Sequence, residues 1–377
     1  MTHIYGLTCI SEMLKQKDKS FSFKTLTKSR FLELEKREEK LGEKTLSERI
    51  IHNLNLVNTI IEHCAQNDIG HYRLPSSLFP LVTEKTLELN LATIKEANHI
   101  LNLIKKIGQT ALENEISLSM HPDQYNVLAS ERDDVVIRTV RELDFQAHIL
   151  DLMGLPADYS NPINVHPSVS TKEPTEANLK AIVDRFYDGM VRCNDSVLKR
   201  LVVENEDKGC WTCMNLFVYF HQYMGHNHRH IMPLTYDNLH DKCNPSILNG
   251  TPVTMEQNVD AFAKTWPDDV IPVFHWSNGK SDRKRSHADF ADGNPPEYER
   301  PLVWEVEVKQ KDFAIAKLQG KALKKKATVK KKTVAKKPAS KAPAPATDEK
   351  PSVKKILKDI KKTAPSPKQT FNHLYGE

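Results

Sequence analysis

The segment ISLSMHPDQYN (residues 116–126) begins with the alternation of a β-strand and ends in a run of polar side chains. Its apolar residues alternate with serines, which predicts a half-buried strand, and His121 stands where that strand should end. INVHP (163–167) repeats the pattern, because apolar residues again run into a histidine, His166. One such histidine is usually a hydrogen-bonded loop residue. A repeated one indicates that strand ends gather metal-binding side chains at one edge of a sheet.

Eight apolar, β-branched segments recur through residues 1–310, and stretches with helical spacing separate them. The segments are HIYGLTCI (3–10), HYRLP (71–75), ISLSMHP (116–122), INVHP (163–167), LVVENE (201–206), MPLTYDN (232–238), IPVFHWS (271–277) and LVWEVEV (302–308). Strand alternating with helix predicts a parallel sheet. Eight such units predict an α/β fold, a closed TIM (β/α)8 barrel with its active site at the carboxyl ends of the strands. The long first interval, residues 11–70, is expected to hold extra helix.

The charge of the chain divides near residue 320. The net charge is +5, but residues 321–377 contain 17 lysines, no arginine and four acidic residues, which gives +13 and leaves −8 for residues 1–320. The sequence therefore predicts a barrel domain over residues 1–316 and a disordered, basic Lys/Ala/Pro-rich tail over residues 317–377. A flexible polycation attracts nucleic acid, and a solubilising linker is the alternative role.

Composition places the chain inside a cell. No apolar run is long enough to span a bilayer, and the N-terminal residues lack the features of a secretory signal. Six scattered cysteines fit a reducing compartment. We expect a protein without a membrane partner, cytoplasmic in a bacterium and otherwise nuclear or in a viral compartment.

Six of the eight predicted strands end in a residue of a metal-binding type. These residues are His121, His166, Glu204, Asp237, His275 and Glu307. They would converge on one rim of the barrel, where unpaired carboxylates would repel one another without cations. His240 follows Asp237 by three positions, and His287 follows His275 after a loop. One metal ion needs about four ligands, so eight candidates predict two or three ions, a cluster suited to phosphodiester hydrolysis.

Six motifs, in this order, resemble those of the UV damage endonucleases, which are related to the endonuclease IV apurinic-site nucleases. The motifs are HPDQYN, NVHPS, VVENEDKG, YDNLHDKC, FHWS followed by SHADF, and WEVEVK. The resemblance implies a monomeric, metal-dependent repair endonuclease acting on damaged double-stranded DNA. Such an enzyme nicks the backbone 5′ of a UV photoproduct and leaves a 3′-hydroxyl and a 5′-phosphate. Many members also cut at abasic sites.

The resemblance also implies a cluster of three divalent ions, with manganese favoured and zinc or magnesium as alternatives. The implied ligands are His121, His166 and Glu204 for the first ion, Glu204 with Asp237, His275 and Glu307 for the second, and His240 and His287 for the third. Glu204, Asp237 and Glu307 are the expected catalytic residues. Glu305 has the same strand parity as Glu307, but the E-x-K pattern favours Glu307.

Four residues are expected to contact the substrate. Gln124 and Tyr125 match a pair that enters the duplex at the lesion in this family, and Asn126 lies beside them. The phenol ring would stack in the gap left by flipped bases while the carboxamide bonds the orphaned bases. Leu7 stands where the family often has an aromatic probing residue, so we expect an apolar wedge there. Val273 departs from the family, which often has a lysine at that position.

Two other functions compete with this interpretation. A sugar isomerase or epimerase shares the barrel and a His/Glu/Asp metal site, but it has no reason for a probing Gln–Tyr pair or a polylysine tail. A non-catalytic DNA-binding protein would use the cluster only for structure, and eight retained ligands argue against that.

Overall fold

The predicted strands form one parallel sheet in the computed structural model, which describes residues 3–321. They are β1 (Ile4–Thr8), β2 (His71–Leu74), β3 (Ser117–Met120), β4 (Ile163–Val165), β5 (Leu201–Glu204), β6 (Leu234–Thr235), β9 (Val273–Trp276) and β10 (Val303–Val306). Two further strands, β7 (Ile247–Leu248) and β8 (Thr251–Pro252), form a separate antiparallel hairpin.

The eight strands form a nearly closed barrel. Their order is β6-β5-β4-β3-β2-β1-β10-β9, and all neighbours are parallel. The two edges meet at one parallel bridge between Asp237 and His275, where the His275 N–H donates to the carbonyl of Tyr236 at 2.8 Å. The predicted TIM-type α/β barrel is therefore confirmed, and the residues that close it include two predicted metal ligands.

Helices fill the intervals between the strands. The first interval holds α1 (Glu12–Lys17), α2 (Lys28–Arg37) and the 26-residue α3 (Leu41–Gln66), so the extra helix expected there is present. The later segments are a 3-10 turn (Lys85–Leu87), α4 (Ala97–Glu113), α5 (Asp133–Leu152), α6 (Glu176–Met190), α7 (Asp195–Leu198), α8 (Cys213–Asn215), a π-helical stretch (Leu216–Tyr223), α9 (Met224–Asn227), α10 (Asn238–Cys243), α11 (Met255–Ala263) and α12 (Lys311–Leu318). Within residues 3–321, none of these helices is long and apolar enough to cross a membrane.

Helix α4 shows how sequence spacing produces the outer core. Ile100, Ile104 and Ile107 are buried and recur at four and three residues, so they lie on one face of the helix. Gly108 lies on the same helix, and a Cβ atom there would come within 1.8 Å of the carbonyl oxygen of Met153. The glycine therefore allows α4 to approach the end of α5 closely.

The interior of the barrel near the rim is polar. Gly6 of β1 lies opposite His71 on one side and Glu305 on the other, and both of these side chains are fully buried. A Cβ atom on Gly6 would lie 2.9 Å from Cδ2 of His71. The glycine therefore leaves room for an imidazole and a carboxylate, and the apolar core lies between the strands and the helices.

The predicted boundary between barrel and tail falls inside a helix. Helix α12 continues to Leu318, past the boundary after residue 316, and the Lys321 ammonium donates to the carbonyl of Asn67 at 2.6 Å. Residues 317–321 thus belong to the barrel domain. The rest of the predicted tail, residues 322–377, lies outside the described residues.

One buried carboxylate joins both ends of the barrel domain. Asp312 of α12 accepts hydrogen bonds from the Ser11 hydroxyl, from the backbone N–H of Glu12 at 3.0 Å and from that of Met13 at 3.2 Å. The His63 ring of α3 lies 2.9 Å from the same carboxylate. Asp312 therefore fixes the start of α1 and ties it to two other helices.

We predict that Asp312→Ala lowers the free energy of unfolding by about 3 kcal/mol, because it leaves several buried donors unsatisfied. The measurement is urea unfolding followed by circular dichroism. Asp292→Ala, at an exposed position, is the matched control and should change the value by less than about 0.5 kcal/mol. Equal stabilities of the two variants would contradict the role given to Asp312.

Candidate metal centre

Glu204, at the end of β5, occupies the centre of the rim and is 1% exposed. Its Oε2 lies 3.2 Å from Nε2 of His121 and 3.7 Å from Nε2 of His166. Its Oε1 lies 3.1 Å from Nδ1 of both His240 and His275. Each oxygen of one carboxylate therefore faces its own pair of imidazoles, which is the arrangement that a bridging ligand requires.

Asp237 reaches the same cluster through a helix cap. Its Oδ1 accepts a hydrogen bond from the backbone N–H of His240 at 2.8 Å, so Asp237 caps α10 and the first turn brings the His240 side chain back beside it. Asn205 exchanges two hydrogen bonds with the backbone of Asp237, at 2.8 and 3.0 Å. Oδ2 of Asp237 remains buried, 3.7 Å from Nδ1 of His275. The three-residue spacing of Asp237 and His240 therefore lies on a helical turn that brings the two side chains together.

The ligand-type atoms of the described residues approach one another within 4.8 Å in three groups. The groups are His121, His166 and Glu204; Glu204, Asp237 and His240; and Asp237, His275 and Glu307. Together they contain seven of the eight predicted ligands. The eighth, His287, lies at the edge, with Nε2 3.8 Å from Oε2 of Glu307 and Nδ1 3.1 Å from the Ser277 hydroxyl. The predicted pairing of His240 with His287 is not among these groups.

The charges of the cluster call for cations. Burial opposes protonation of His240, but Asp237 and Glu204 outweigh it and raise the pKa of His240 to about 11. Burial lowers the pKa of His166 to about 4, which leaves that ring in the neutral form that binds metals. Oδ2 of Asp237 and Nδ1 of His166 are buried and have no hydrogen-bond partner among residues 3–321. Buried polar atoms are almost always paired, so these residues fit divalent cations.

Comparison with known proteins identifies the family. Residues 3–337 match the family described as UV-endonuclease UvdE. The chain belongs to this family. The UV DNA damage endonuclease of Nostoc sp. is 28% identical over 318 residues, which cover 83% of this chain and 88% of that protein. The enzyme of the same name from Bacillus anthracis is 26% identical over 307 residues, 78% of this chain and 86% of that protein.

A solved structure supports the fold. The crystal structure of SacUVDE superposes with a TM-score of 0.65 at 23% sequence identity, and the match covers 85% of this chain and 100% of that one. Membership of the family confirms the predicted enzyme class, an endonuclease that hydrolyses phosphodiester bonds. It also decides against the sugar isomerase and against a protein that only binds DNA.

Beneath the rim, the two oxygens of Glu305 accept from four side chains. Oε1 lies 2.9 Å from Nε2 of His71 and accepts from the Ser119 hydroxyl at 2.5 Å. Oε2 lies 2.9 Å from the Arg73 guanidinium and 3.2 Å from Nε2 of His275. Although burial opposes it, these groups hold the pKa of Glu305 well below its usual range. Glu305 therefore orients the His275 ring through Nε2 and leaves Nδ1 directed at the cluster.

The neighbours of Glu305 and Glu307 distinguish two carboxylates that sequence parity leaves equivalent. The oxygens of Glu305 are all occupied by donors, so it lies under the cluster as a supporting residue. Oε1 of Glu307 lies 2.5 Å from the Arg73 guanidinium and 3.8 Å from Nδ1 of His275. These positions support the choice of Glu307 as the ligand and make Arg73 the link between the two carboxylates.

The loop after β3 presents two of the predicted DNA-contacting residues. Tyr125 is 66% exposed and Gln124 is also exposed. Asp123 accepts from the backbone N–H of Tyr125 at 2.9 Å and from the side-chain amide of Asn126 at 3.2 Å. Asn126 is buried, so its side chain holds the loop and does not face DNA. The expected contact of Asn126 with the substrate is therefore not supported.

The expectation of an apolar wedge at Leu7 is wrong. Leu7 is fully buried opposite Val306, because Gly6 takes the inward position of β1 and places Leu7 on the face that packs in the outer core. Val273 is also buried. Val273 therefore contributes no cation to the rim. Among residues 3–321, the Arg73 guanidinium contacts two carboxylates there, those of Glu305 and Glu307.

Sequence reasoning missed the amides that hold the ligands. The side-chain amide of Asn164 donates to Oε2 of Glu204, and Asn205 fixes the backbone of Asp237. A signal existed for Asn164, because it stands two positions before His166 in INVHP and shares its inward parity. Asn205 follows Glu204 directly, and nothing in its position distinguished it from an ordinary loop amide.

We predict that Glu305→Gln weakens Mn²⁺ binding about 10- to 100-fold, because the carboxamide cannot accept from all four donors and the His275 ring loses its orientation. The measurement is calorimetric titration of metal-free protein. Glu299→Gln, at an exposed position, is the control. An unchanged Mn²⁺ affinity in a variant that melts at the wild-type temperature would remove Glu305 from the metal centre.

Proposed function

We propose that the protein is a metal-dependent repair endonuclease that nicks damaged double-stranded DNA 5′ of UV photoproducts and also at abasic sites. The products would be a 3′-hydroxyl and a 5′-phosphate, and the enzyme would act as a monomer. The name of the family and of its relatives in Nostoc and Bacillus supports the substrate class. The observation that carries the proposal is an exposed Gln124–Tyr125 tip three residues along the chain from the rim residue His121.

Three divalent ions, with manganese favoured and zinc or magnesium as alternatives, would occupy the rim. The supporting observation is that ligand-type atoms cluster in three groups that share Glu204 and Asp237. His287, at the edge beside Glu307, would complete the outer site. Bound there, the ions would supply Lewis-acid stabilisation of the phosphate oxygens and favour ionisation of the attacking water.

The reaction adds one water across a P–O3′ bond. The water oxygen bonds to phosphorus, the P–O3′ bond breaks, and O3′ leaves as a hydroxyl while the phosphate stays on the 5′ end of the damaged segment. The carboxylates of Glu204, Asp237 and Glu307 hold the centre in place for this step. Asn164 and Arg73 restrain two of these carboxylates, so little reorganisation is needed when the phosphate arrives.

Tyr125 and Gln124 would select the lesion. Flipping a damaged dinucleotide out of the stack costs a few kcal/mol, and an inserted phenol ring replaces part of the lost stacking. The tip is held for this role, because Asp123 bonds the backbone of Tyr125 and the Arg138 guanidinium donates to the Tyr125 carbonyl at 3.2 Å. A tip ordered in advance loses less conformational entropy when it enters DNA.

The deciding experiment incubates the protein with matched irradiated and unirradiated duplexes in Mn²⁺ and maps the cut at single-nucleotide resolution. Cutting of the irradiated strand directly 5′ of the photoproduct is expected. Extension of the 3′ end by a polymerase tests for the hydroxyl. The proposal fails if no divalent metal supports cutting of irradiated DNA.

We predict that Glu204→Gln reduces nicking at least 100-fold while affinity for irradiated duplex stays within about threefold of wild type. The neutral amide would hold cations less well than the carboxylate that two of the ligand groups share, and bound ions would supply several kcal/mol of charge stabilisation in the transition state. The measurements are single-turnover cleavage and fluorescence anisotropy. Glu173→Gln, an exposed substitution of the same kind, should cut normally. A Glu204→Gln variant that cuts at the wild-type rate would refute the assignment.

We predict that Tyr125→Ala abolishes the preference for irradiated duplex without changing the salt dependence of binding, whereas Tyr125→Phe keeps the preference because the ring still stacks.

Removal of residues 322–377 should instead weaken binding to both duplexes by similar factors and flatten the salt dependence, since each phosphate contact contributes a slope of about −0.9. The measurement is affinity for both duplexes across a salt series. A tail deletion that erased only the preference for damage would contradict this division.

A further inference from the structure

A short apolar hairpin extends from the rim beside the metal centre. Its strands, β7 and β8, pair Ile247 with Pro252 and Leu248 with Thr251. Ile247 and Leu248 are each 53% exposed, although neighbouring residues of a strand face opposite sides. Both faces of the hairpin therefore meet solvent. Within residues 3–321, these two residues are the only consecutive pair of large apolar side chains that are both exposed.

The turn of the hairpin has a defined backbone shape. Asn249 and Gly250 have φ angles of 52° and 80°. These are the left-handed values of a two-residue type I′ turn, which an Asn-Gly pair favours. A Cβ atom on Gly250 would have no heavy atom of residues 3–321 within 4 Å, apart from its chain neighbours. The tip therefore holds its own conformation and has open space around it.

The base of the hairpin is fixed to the rim. Ser246 is buried, and its hydroxyl accepts from the backbone N–H of Met214 at 2.8 Å. The Val253 N–H donates to the Ser246 carbonyl at 2.9 Å, which extends the pairing of the two strands. The Asn244 amide donates to the carbonyl of Glu206 at 3.1 Å. Met214 and Glu206 both lie on the connection that follows β5, so the base is held against a loop of the metal centre.

The hairpin and the Gln124–Tyr125 tip lie at nearly opposite points of the rim. The hairpin follows β6 through α10, which carries His240, and the Gln124–Tyr125 tip follows β3. These two strands are three positions apart in a barrel of eight. The strands between them, β4 and β5, lead to the candidate ligands His166 and Glu204. A duplex that lies across the metal centre would therefore pass both the hairpin and the tip.

The size and charge of the hairpin fit DNA better than another protein. Two half-exposed side chains present far less surface than the roughly 800 Å² that each partner contributes to a stable protein interface. Residues 243–255 contain no charged residue, whereas residues 1–320 carry a net charge of −8, so this part of the rim does not repel phosphates. Exposed apolar side chains on a protruding element are suited to insertion between base steps from the minor groove.

We propose that the hairpin enters the minor groove of the damaged duplex and wedges Ile247 and Leu248 against a base step, across the metal centre from Tyr125. This inference rests on the proposed function and adds a second probe to it. A wedge of this kind unstacks the step and bends the duplex. Unstacking costs least at a damaged base, so the wedge favours the same DNA as the Tyr125 ring does.

The test compares Ile247→Thr/Leu248→Thr with the wild type, as full-length proteins and without divalent metal. Both positions are exposed and threonine suits a strand, so the melting temperature should not change. Affinity for irradiated duplex should fall about 10-fold, because less apolar surface leaves water on binding. The salt dependence should stay the same, since no phosphate contact is lost. Ile247→Val/Leu248→Met keeps an apolar surface and should bind as the wild type does.

Ile231→Thr/Leu112→Thr is the matched control. These two side chains are exposed to a similar extent, 47% and 54%. Ile231 precedes β6 and Leu112 precedes β3, so both lie towards the end of the barrel opposite the rim. The control should bind irradiated duplex with wild-type affinity, although it removes the same kind of apolar surface.

Two measurements on the DNA locate the wedge. Fluorescence resonance energy transfer between dyes at the duplex ends should show a smaller bend with the hairpin variant than with the control. 2-Aminopurine, whose fluorescence rises when the base is unstacked, is placed at each position around the lesion. At one step the wild type and the control should raise this signal and the hairpin variant should not.

Three outcomes would overturn the proposal. The first is an equal bend and equal 2-aminopurine signals for the hairpin variant and the control. The second is a flatter salt dependence in the hairpin variant, which would indicate a phosphate contact instead of a wedge. The third is a wild type that sediments as a dimer and a hairpin variant that sediments as a monomer, which would assign the hairpin to an interface between copies of the chain.

Cutting by the wild type separates the two levels of inference. If the wild type nicks irradiated DNA and the hairpin variant binds and bends it as the control does, the wedge is wrong and the proposed function stands. If the hairpin variant loses affinity and bending as expected, and the wild type never nicks with any divalent metal, the protein binds DNA through the hairpin and the proposed function is wrong.

Discussion

The parallel bridge between Asp237 and His275 closes the barrel and joins two candidate metal ligands in the same contact. Parallel strands bring all their carboxyl ends to one rim, so closing the sheet also gathers Glu204 and Glu307 beside that bridge. Closure of the barrel therefore brings the charged side chains of the site close together. Cations bound at this rim would stabilise the closed barrel, because they bind the folded chain and find no assembled site in the unfolded one.

A layer of hydrogen bonds under the rim makes this arrangement specific. Gly6 leaves space in which His71 and Arg73 meet Glu305, and Glu305 in turn fixes His275. Such a layer gives little stability, since buried ion pairs seldom repay their desolvation. Stability comes from the apolar shell between strands and helices. The inward faces of the strands therefore position the ligands, and the outward faces of the same strands stabilise the fold.

Local pattern predicted the eight strands and the gathering of ligands, because strand parity and strand ends are both written in short segments. It failed where the answer depended on partners distant in sequence. The resemblance to the family implied a probing residue at Leu7, but Gly6 holds the inward position of β1 and Leu7 is buried. The Asn126 amide donates to the Asp123 carboxylate, and the sequence alone does not reveal this contact. Glu305 and Glu307 share a parity, so their different roles depend on which donors surround each carboxylate.

Electrostatics in this protein operates at two ranges. The barrel domain carries −8 and would repel DNA at a distance, whereas residues 321–377 carry +13 on a segment without regular apolar patterning. Charges separated by more than a Debye length of about 8 Å are largely screened at physiological salt, so a polycationic segment would raise the local concentration of DNA without placing any one phosphate. Placement needs cations held beside the cluster, and the Arg73 guanidinium is held there, 2.9 Å from Glu305 and 2.5 Å from Glu307. Attraction therefore depends on the number of charges, and positioning of the DNA depends on a few charges that the fold holds in place.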